Sequence, residues 1–384
     1  MHLEELPMII FTTVGQMSVG AFWMLGIIHL LGYARKMSAS TIDRLTNAAL
    51  YACGPLLILG FGAASFHLSY PLNALNSMRH AGSSWLTNEI LCGVAYGAFG
   101  LIFSLCQWFG WFSRGFRQIL AGLTALAGFG LVCSMVGVYF FPGTITTWST
   151  WFRWVLFFGS AFVTGPLAVA IAIALSWRAQ KRNAANYRYN AENPLAVYWH
   201  SGIKQDFGRF KEAWAEARFK GVWQLAKGWV AARFITKEGI NDELTSLTMS
   251  AIKLSCRVSA FAGIVLLVCY PIHAMQMKSG DVAQRHVFSE VMDMPWLPVR
   301  LALLAAGVVL ISVFMHMLMR KAKNPGRKMM AVVTVAFLLI FSSELLGRGL
   351  HYEGLWHVGI NTSQNWLGSD AEEIIFHDGN PTDD

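Results

Sequence analysis

Long apolar runs recur along the whole 384-residue chain, and they constrain its fold more than any other feature. Each has about 20 residues or more, the length that an α-helix needs to cross a hydrocarbon core of roughly 30 Å. Only helices and closed barrels satisfy the backbone in lipid, and these runs are too long for barrel strands. The sequence therefore predicts an all-α, polytopic membrane protein, a bundle of eight transmembrane helices. The predicted helices cover residues 8–33, 45–69, 88–112, 119–141, 152–176, 251–275, 297–319 and 330–350.

The composition agrees with a membrane protein. Charged residues make up 14% of the chain, whereas a soluble domain has about a quarter. No small-residue cleavage site follows the first apolar run, so we expect a retained first helix instead of a signal peptide. The six Cys residues are isolated within apolar runs and show no Cys-x-x-Cys spacing. They are interpreted as packing residues, and the sequence predicts no metal site or iron–sulfur cluster in this chain.

The distribution of Lys and Arg predicts the orientation. The connections at 33–44, 113–118 and 320–329 carry ten of these residues, and the alternate connections carry five. Positive residues are retained on the cytoplasmic side, so we expect both termini and the 70–87 connection in the periplasm. The predicted organisation is helices 1–5 in residues 1–176, a basic cytoplasmic loop in 177–246, helices 6–8 in 247–350 and an acidic periplasmic tail in 351–384.

The 177–246 loop contains apolar side chains at nearly helical spacing, with Lys and Arg between them. This pattern favours a basic amphipathic helix that lies on anionic inner-leaflet lipid. The alternative is a solvated linker with some helix. Nucleic-acid binding is a poor explanation of the net charge of +8, because orientation already accounts for the basic residues. The apolar positions are Ile203, Phe207, Phe210, Trp214, Leu225 and Trp229.

His67 closes the second apolar run and Glu89 opens the third, with a polar connection between them that contains Arg79. Both residues are expected near the outer face, where ionisable groups are costly unless they are paired or wetted. An imidazole can hydrogen-bond a hydroxyl and a carboxylate can accept a proton, which suits a carrier that releases protons with electrons. The structural alternative is a Glu that caps a helix N-terminus and a His satisfied by the backbone.

Glu344 and Arg348 lie four residues apart near the outer end of the last helix, in the order that favours a helical ion pair. The pair either lines the same cleft or is a neutralised structural pair. Histidines near several span ends leave a haem-b electron-transfer protein as an alternative function, although no helix offers two at suitable depths. A secondary transporter is another alternative, but no convincing internal repeat supports it.

Four stretches of the sequence resemble the DmsC-type membrane anchor subunit of the dimethyl sulfoxide reductase family of molybdoenzymes. In that family the His of a His-Leu motif and the Glu of an Asn-Glu motif are linked to menaquinol binding and oxidation. They match His67 and Glu89, to which the resemblance therefore assigns the catalytic role. The four stretches are 5–16 (ELPMIIFTTVGQ), 67–90, the dipeptides at 147–148 and 165–166, and 344–352 (ELLGRGLHY).

The resemblance also supplies the wider set of candidate quinol-binding residues. One departure is that Gly137 stands shortly before Tyr139, where the family often has Arg, so an Arg role at that position is in doubt. The 177–246 segment is also longer than the family's usual connection. The candidates are His67, Arg79, Glu89, Tyr139, Glu344 and Arg348.

By this resemblance the chain is the anchor and quinol-oxidising subunit of a complex in the bacterial inner membrane. Menaquinol would be its substrate, and the chain alone would bind no cofactor. Electrons would pass to a partner iron–sulfur subunit and then to a partner molybdopterin catalytic subunit, which reduces dimethyl sulfoxide or a related acceptor in anaerobic respiration. The alternative within this class is a quinone-reducing anchor of a complex similar to sulfite dehydrogenase.

Overall fold

The protein is described by a computed structural model over residues 6–67, 82–141, 145–186, 203–234 and 240–353. Within these ranges the regular structure is helical and contains no strand. One π-helical turn, at Leu310–Phe314, lies inside the helix Trp296–Lys321. The helices are α1 Leu6–Ala34, α2 Ala39–His67, α3 Trp85–Phe109, α4 Arg114–Phe140, α5 Phe152–Asn186, α6 Ile203–Phe234, α7 Asp242–Lys278, α8 Val282–Asp293, α9 Trp296–Lys321 and α10 Arg327–Glu353.

Within the described part of the chain, seven helices are long and apolar enough to cross a membrane: α1, α3, α4, α5, α7, α9 and α10. They coincide with seven of the eight predicted spans, so the all-helical, polytopic membrane fold is confirmed. The helix α2 has 29 residues and occupies the place of the remaining predicted span, 45–69, although it is not among the seven. The count of eight and the periplasmic position of the termini stay predictions. Residues 354–384, most of the predicted tail, lie outside the described residues.

The predicted 177–246 loop is shorter than expected because helices extend into it from both sides. The helix α5 continues to Asn186, and α7 begins at Asp242. Asn241 caps α7, since its side-chain oxygen accepts a hydrogen bond from the backbone N–H of Leu244 (2.8 Å). Polar caps and acidic first turns stabilise a helix beyond its apolar run. The helix α8 in the following connection was not predicted, and Asp281 caps it in the same way.

The helix α1 lies at the centre of the bundle and packs against α2, α4, α5 and α10. Its closest approach is to α5, where Gly20 lies against the backbone of Ala161 and Gly165 lies against the backbone of Gly20 and Ala21. A methyl group at either glycine would overlap the neighbouring backbone. Small residues permit this close packing of membrane helices.

Successive membrane helices run in opposite directions, so each end of the bundle collects a defined set of helix ends. Ser18 of α1 lies at the same depth in the bundle as Cys53 of α2 and Tyr96 of α3. Its hydroxyl donates to the backbone oxygen of Cys53 (3.0 Å) and lies 3.1 Å from the hydroxyl of Tyr96. From that level, the first turns of α1, α3, α5 and α9 and the last turns of α2, α4, α7 and α10 point to one end. We call it the Glu89 end. The opposite end contains the basic connections, where Arg35 donates to Ser250 (2.6 Å).

Candidate functional site

Glu89 lies in the second turn of α3, and Ser84 caps that helix. The Ser84 hydroxyl oxygen accepts a hydrogen bond from the backbone N–H of Thr87 (3.4 Å), so the alternative that Glu89 caps the helix is wrong. The side chain of Glu89 is 5% exposed. Among the residues that the structure describes, it has no hydrogen-bond or ion-pair partner. A buried carboxyl group in this state is energetically costly and suggests a functional role.

Two tyrosines from distant parts of the chain lie within electrostatic range of Glu89. Tyr139 comes from the last turn of α4 and Tyr352 from the last turn of α10, and their hydroxyl oxygens are 2.8 Å apart. Glu89 interacts electrostatically with both hydroxyl groups. Thr12 of α1 adds a polar contact to Tyr352. Four helices therefore contribute polar groups to one place at the Glu89 end.

Aromatic rings enclose this polar group on one side. The ring of Tyr139 packs edge-on against Trp148, with centroids 5.0 Å apart, and tilted against Phe157 at 5.5 Å. The indole N–H of Trp148 donates to the backbone oxygen of His351 (3.0 Å), which fixes the indole to the end of α10. The apolar wall and the fixed hydroxyls resemble the lining of pockets that hold flat aromatic ligands.

Arg348 lies one turn before Tyr352 on α10 and is 1% exposed. Its Nη2 donates to the side-chain oxygen of Gln16 on α1 (2.5 Å), and its guanidinium carbon lies 3.8 Å from the ring centroid of Phe157. Arg348 also acts electrostatically on Tyr139 and Tyr352. The guanidinium thus holds α10 against α1 beside the tyrosine pair.

The direct ion pair between Glu344 and Arg348 is not formed, although the two residues do interact electrostatically. Arg348 is turned toward Gln16 and Phe157, and Oε1 of the buried Glu344 has no hydrogen-bond partner in the described structure. The i, i+4 spacing predicted the pair, but contacts with other helices determine where the guanidinium lies. Glu344, Arg348, Tyr139 and Glu89 nonetheless form one electrostatically connected group.

Two of the candidate quinol-binding residues, His67 and Arg79, have side chains outside the described structure. His67 is the last residue of α2, but its side chain lies outside the described structure. Because α2 ends at the Glu89 end, the backbone of His67 lies at the same end of the bundle as Glu89. Arg79 belongs to residues 68–81, which are outside the described residues. Proximity of His67 to Glu89 stays a prediction.

Sequence reasoning missed a second group of buried polar residues at the same end. Arg153, in the first turn of α5, donates to the backbone oxygens of Thr147 (2.8 Å) and Trp148 (3.3 Å), and its Nη1 lies 2.7 Å from Nδ1 of His351. Arg300 of α9 is 2% exposed, and its guanidinium carbon lies 4.8 Å from the ring centroid of Tyr270. The available signal was an arginine inside a predicted span, which the sequence analysis had used only to count charge.

Comparison with known proteins identifies the half of the chain that contains Glu89 and Tyr139. Residues 1–188 match the family model described as the DMSO reductase anchor subunit (DmsC). These residues are therefore similar to the DmsC family. The resemblance inferred from the sequence is thereby confirmed for this half of the chain, and the motif at 344–352 lies beyond the matched region. Tyr352 and Arg348 therefore contact Tyr139 and Gln16 of the matched region but lie outside that region.

The descriptions of curated relatives agree with that of the family model. This protein is 31% identical over 173 residues to the C subunit of the anaerobic dimethyl sulfoxide reductase of Escherichia coli (strain K12), which is 45% of its own length and 59% of the relative. It is 31% identical over 147 residues to the C subunit of the Haemophilus influenzae enzyme, 38% of its own length and 50% of the relative. The matches thus span between half and three fifths of these DmsC relatives. No solved structure matches the protein.

Proposed function

We propose that this chain is the quinol-oxidising membrane anchor of a molybdopterin oxidoreductase complex, with its quinol site at the Glu89 end. The observation that supports this most strongly is the position of Glu89. It is a buried carboxyl group without a polar partner among the described residues, and it interacts electrostatically with the hydrogen-bonded pair of Tyr139 and Tyr352.

The chemistry of a quinol explains this arrangement. Oxidation of a quinol to a quinone releases two electrons and two protons, so the site needs a proton acceptor and fixed hydrogen-bonding groups. Glu89 would accept one proton, as a positioned general base. The tyrosine hydroxyls would orient one oxygen of the ring. His67 at the end of α2 would bind the other oxygen and accept the second proton. The guanidinium of Arg348 would stabilise the negative charge that develops on the ring oxygen as the proton leaves.

The orientation follows from the basic end of the bundle. Because positive connections are retained in the cytoplasm, the Glu89 end and both termini would lie in the periplasm of a bacterial inner membrane. Menaquinol from the membrane would then be oxidised near the periplasmic face. Electrons would pass to an iron–sulfur subunit and on to a molybdopterin subunit that reduces dimethyl sulfoxide or a related acceptor. Both cofactors would be held by those partner subunits.

The helix α6 would lie on the cytoplasmic surface of the membrane. Its aromatic side chains Phe207, Trp214 and Phe219 are 63%, 54% and 75% exposed, and Lys and Arg residues alternate with them. The helix bends at Ala217 and Arg218, where the backbone departs from helical geometry. Exposed aromatic residues between basic ones are typical of helices that bind the interface of anionic lipid.

Substitution of the proposed proton acceptor tests the function. In membranes containing the assembled complex, Glu89→Gln and His67→Ala are expected to lower the rate of menaquinol-analogue oxidation by about 10²- to 10⁴-fold, the contribution of a general base. The matched control is Glu290→Gln, a partly exposed carboxylate at the same end that pairs with His286 (3.2 Å). Wild-type rates in assembled Glu89→Gln and His67→Ala complexes would place the quinol site elsewhere.

A further inference from the structure

A cavity lies at the Glu89 end, on the face of α10 that points away from α1. It has a volume of about 40 Å³ and is lined by residues of α5, α7, α9 and α10, with Val287 and Val291 of α8 beside it. Four side chains that can carry positive charge line it among otherwise mainly apolar groups: Arg153, His273, Arg300 and His351. Glu89 does not line this cavity, which is therefore a different site from the one proposed above.

The cavity has an excess of buried positive charge. Arg153 and Arg300 repel each other, and the described charged groups that act on Arg153 include Arg348 but no carboxylate. Glu344 acts on Arg348, and Glu290 of α8 is held by His286. A buried guanidinium without a counter-charge is strongly unfavourable. The described carboxylates therefore do not neutralise Arg153.

The hydrogen-bonding groups around the cavity are mainly donors. The guanidinium of Arg153 can only donate, so Nδ1 of His351 accepts its hydrogen bond and the neutral ring carries its proton on Nε2. That Nε2, Nε of Arg300 and Nδ1 of His273 are all buried and have no partner in the described structure. At least two of these three atoms are N–H donors, which an anion would satisfy.

The surrounding backbone adds to the positive potential in the cavity and fixes the position of Arg300. The helix α5 begins at Phe152, so the positive end of its dipole lies at the cavity. A side chain at Gly347 would lie 2.5 Å from the guanidinium carbon of Arg300, so the glycine makes room for that group. Ser343 holds the backbone of Arg300 through a 2.9 Å hydrogen bond. The donors are therefore positioned by packing.

We propose that this cavity binds one small monovalent inorganic anion, of the size of a halide. A cavity volume of about 10–15 Å³ holds one water molecule and one of about 150 Å³ binds benzene, so a volume of about 40 Å³ admits a small ion but not a quinone ring. The bound anion would neutralise Arg153 and Arg300 and connect α5, α7, α9 and α10. This inference is independent of the proposed quinol chemistry.

Bromide is a suitable probe for the purified full-length chain in detergent. At constant ionic strength, replacing gluconate by bromide is expected to raise the midpoint of thermal unfolding saturably, by about 2–6 °C. Sulfate, which is larger than a halide and doubly charged, should give no such rise. Arg300→Gln should weaken the apparent bromide affinity at least about 10-fold, the effect of losing a charged hydrogen-bond donor. The exposed Arg257→Gln on α7 is the matched control.

Anomalous diffraction from crystals grown with bromide gives a second readout that requires no variant. The expected result is a bromide peak between Arg153, Arg300 and His273. A midpoint that does not respond to bromide, an equal response in Arg300→Gln, or a cavity without a peak would each overturn the proposal. Since none of these measurements involves quinol oxidation, failure here is distinguishable from failure of the proposed function.

Discussion

The hydroxyl oxygens of Tyr139 and Tyr352 are 2.8 Å apart, although 213 positions separate the two residues in the sequence. Tyr139 belongs to the half of the chain that matches the DmsC family, and Tyr352 lies outside that half. Their hydrogen bond joins the end of α4 to the end of α10 beside Glu89. The proposed site therefore depends on contacts between the two halves of the chain.

Because Tyr139 and Tyr352 share one hydrogen bond, we expect their substitutions to have coupled effects on quinol oxidation. Tyr139→Phe and Tyr352→Phe are each expected to lower quinol oxidation about 2- to 10-fold, since one hydrogen bond is worth about 0.5–1.5 kcal/mol. The double variant should lose less than the product of the two single losses, because both substitutions remove the same hydrogen bond. Tyr33→Phe, whose hydroxyl accepts a hydrogen bond from Gln118 at the basic end, is the control. Fully multiplicative losses would show that the two hydroxyls act independently.

We expect that even a methyl side chain is not tolerated at position 137, where the protein has a glycine. Any Cβ there would overlap the indole of Trp85, which stacks on Phe141 with centroids 4.6 Å apart. Gly137→Ala should destabilise the protein by about 1–3 kcal/mol, as overpacking does, and should lower the midpoint of thermal unfolding. Gly122→Ala on the same helix, where a Cβ has open space, serves as the control. Replacing Trp85 by Leu in the Gly137→Ala variant should restore part of the stability; equal stability of the two Ala variants would refute the contact.

The close crossing of α1 and α5 predicts a larger loss of stability for a substitution at Gly165. A Cβ at Gly165 would meet the backbone of α1, which cannot move aside as a side chain can. Gly165→Ala is therefore expected to reduce the yield of folded protein in membranes severalfold and to cost at least about 3 kcal/mol, at the upper end for overpacked cores. Gly26→Ala on α1, with nothing near its Cβ, should behave like the wild type. A normal yield of Gly165→Ala would contradict this crossing geometry.

The orientation can be tested with two matched substitutions of exposed lysines. Lys278 is the last residue of α7 at the Glu89 end, and Lys323 follows α9 at the basic end. A membrane-impermeant maleimide should label Lys278→Cys in intact spheroplasts and Lys323→Cys only after lysis. The unsubstituted protein reports labelling of the native cysteines. The reverse pattern would invert the assignment of both ends.

The sequence predicted the membrane helices well because hydropathy measures the property that lipid selects along a whole helix. It did not predict where helices end in polar residues: α7 begins at Asp242 under a cap by Asn241, nine residues before its apolar run. Caps act over a single turn, and averaged hydropathy hides them.

The candidate site was predicted in part. Chain order and span direction placed Glu89, Tyr139 and Arg348 at one end, and the structure brings these three together. The spacing of Glu344 and Arg348 could not reveal that Gln16 accepts a hydrogen bond from the arginine, because that contact depends on how α10 is rotated against α1. Arg153 and Arg300 were counted as charges in connections, yet they are buried, since only packing determines which face of a span turns inward.

The most direct test of the central claim is photoaffinity labelling of the assembled complex with an azido-menaquinone, followed by mass spectrometry of the labelled peptides. We predict labels near Glu89, Tyr139 and Tyr352, which an excess of unlabelled menaquinol should displace. Labels confined to the basic end of the bundle, or labels at the Glu89 end that menaquinol does not displace, would contradict a quinol site beside Glu89.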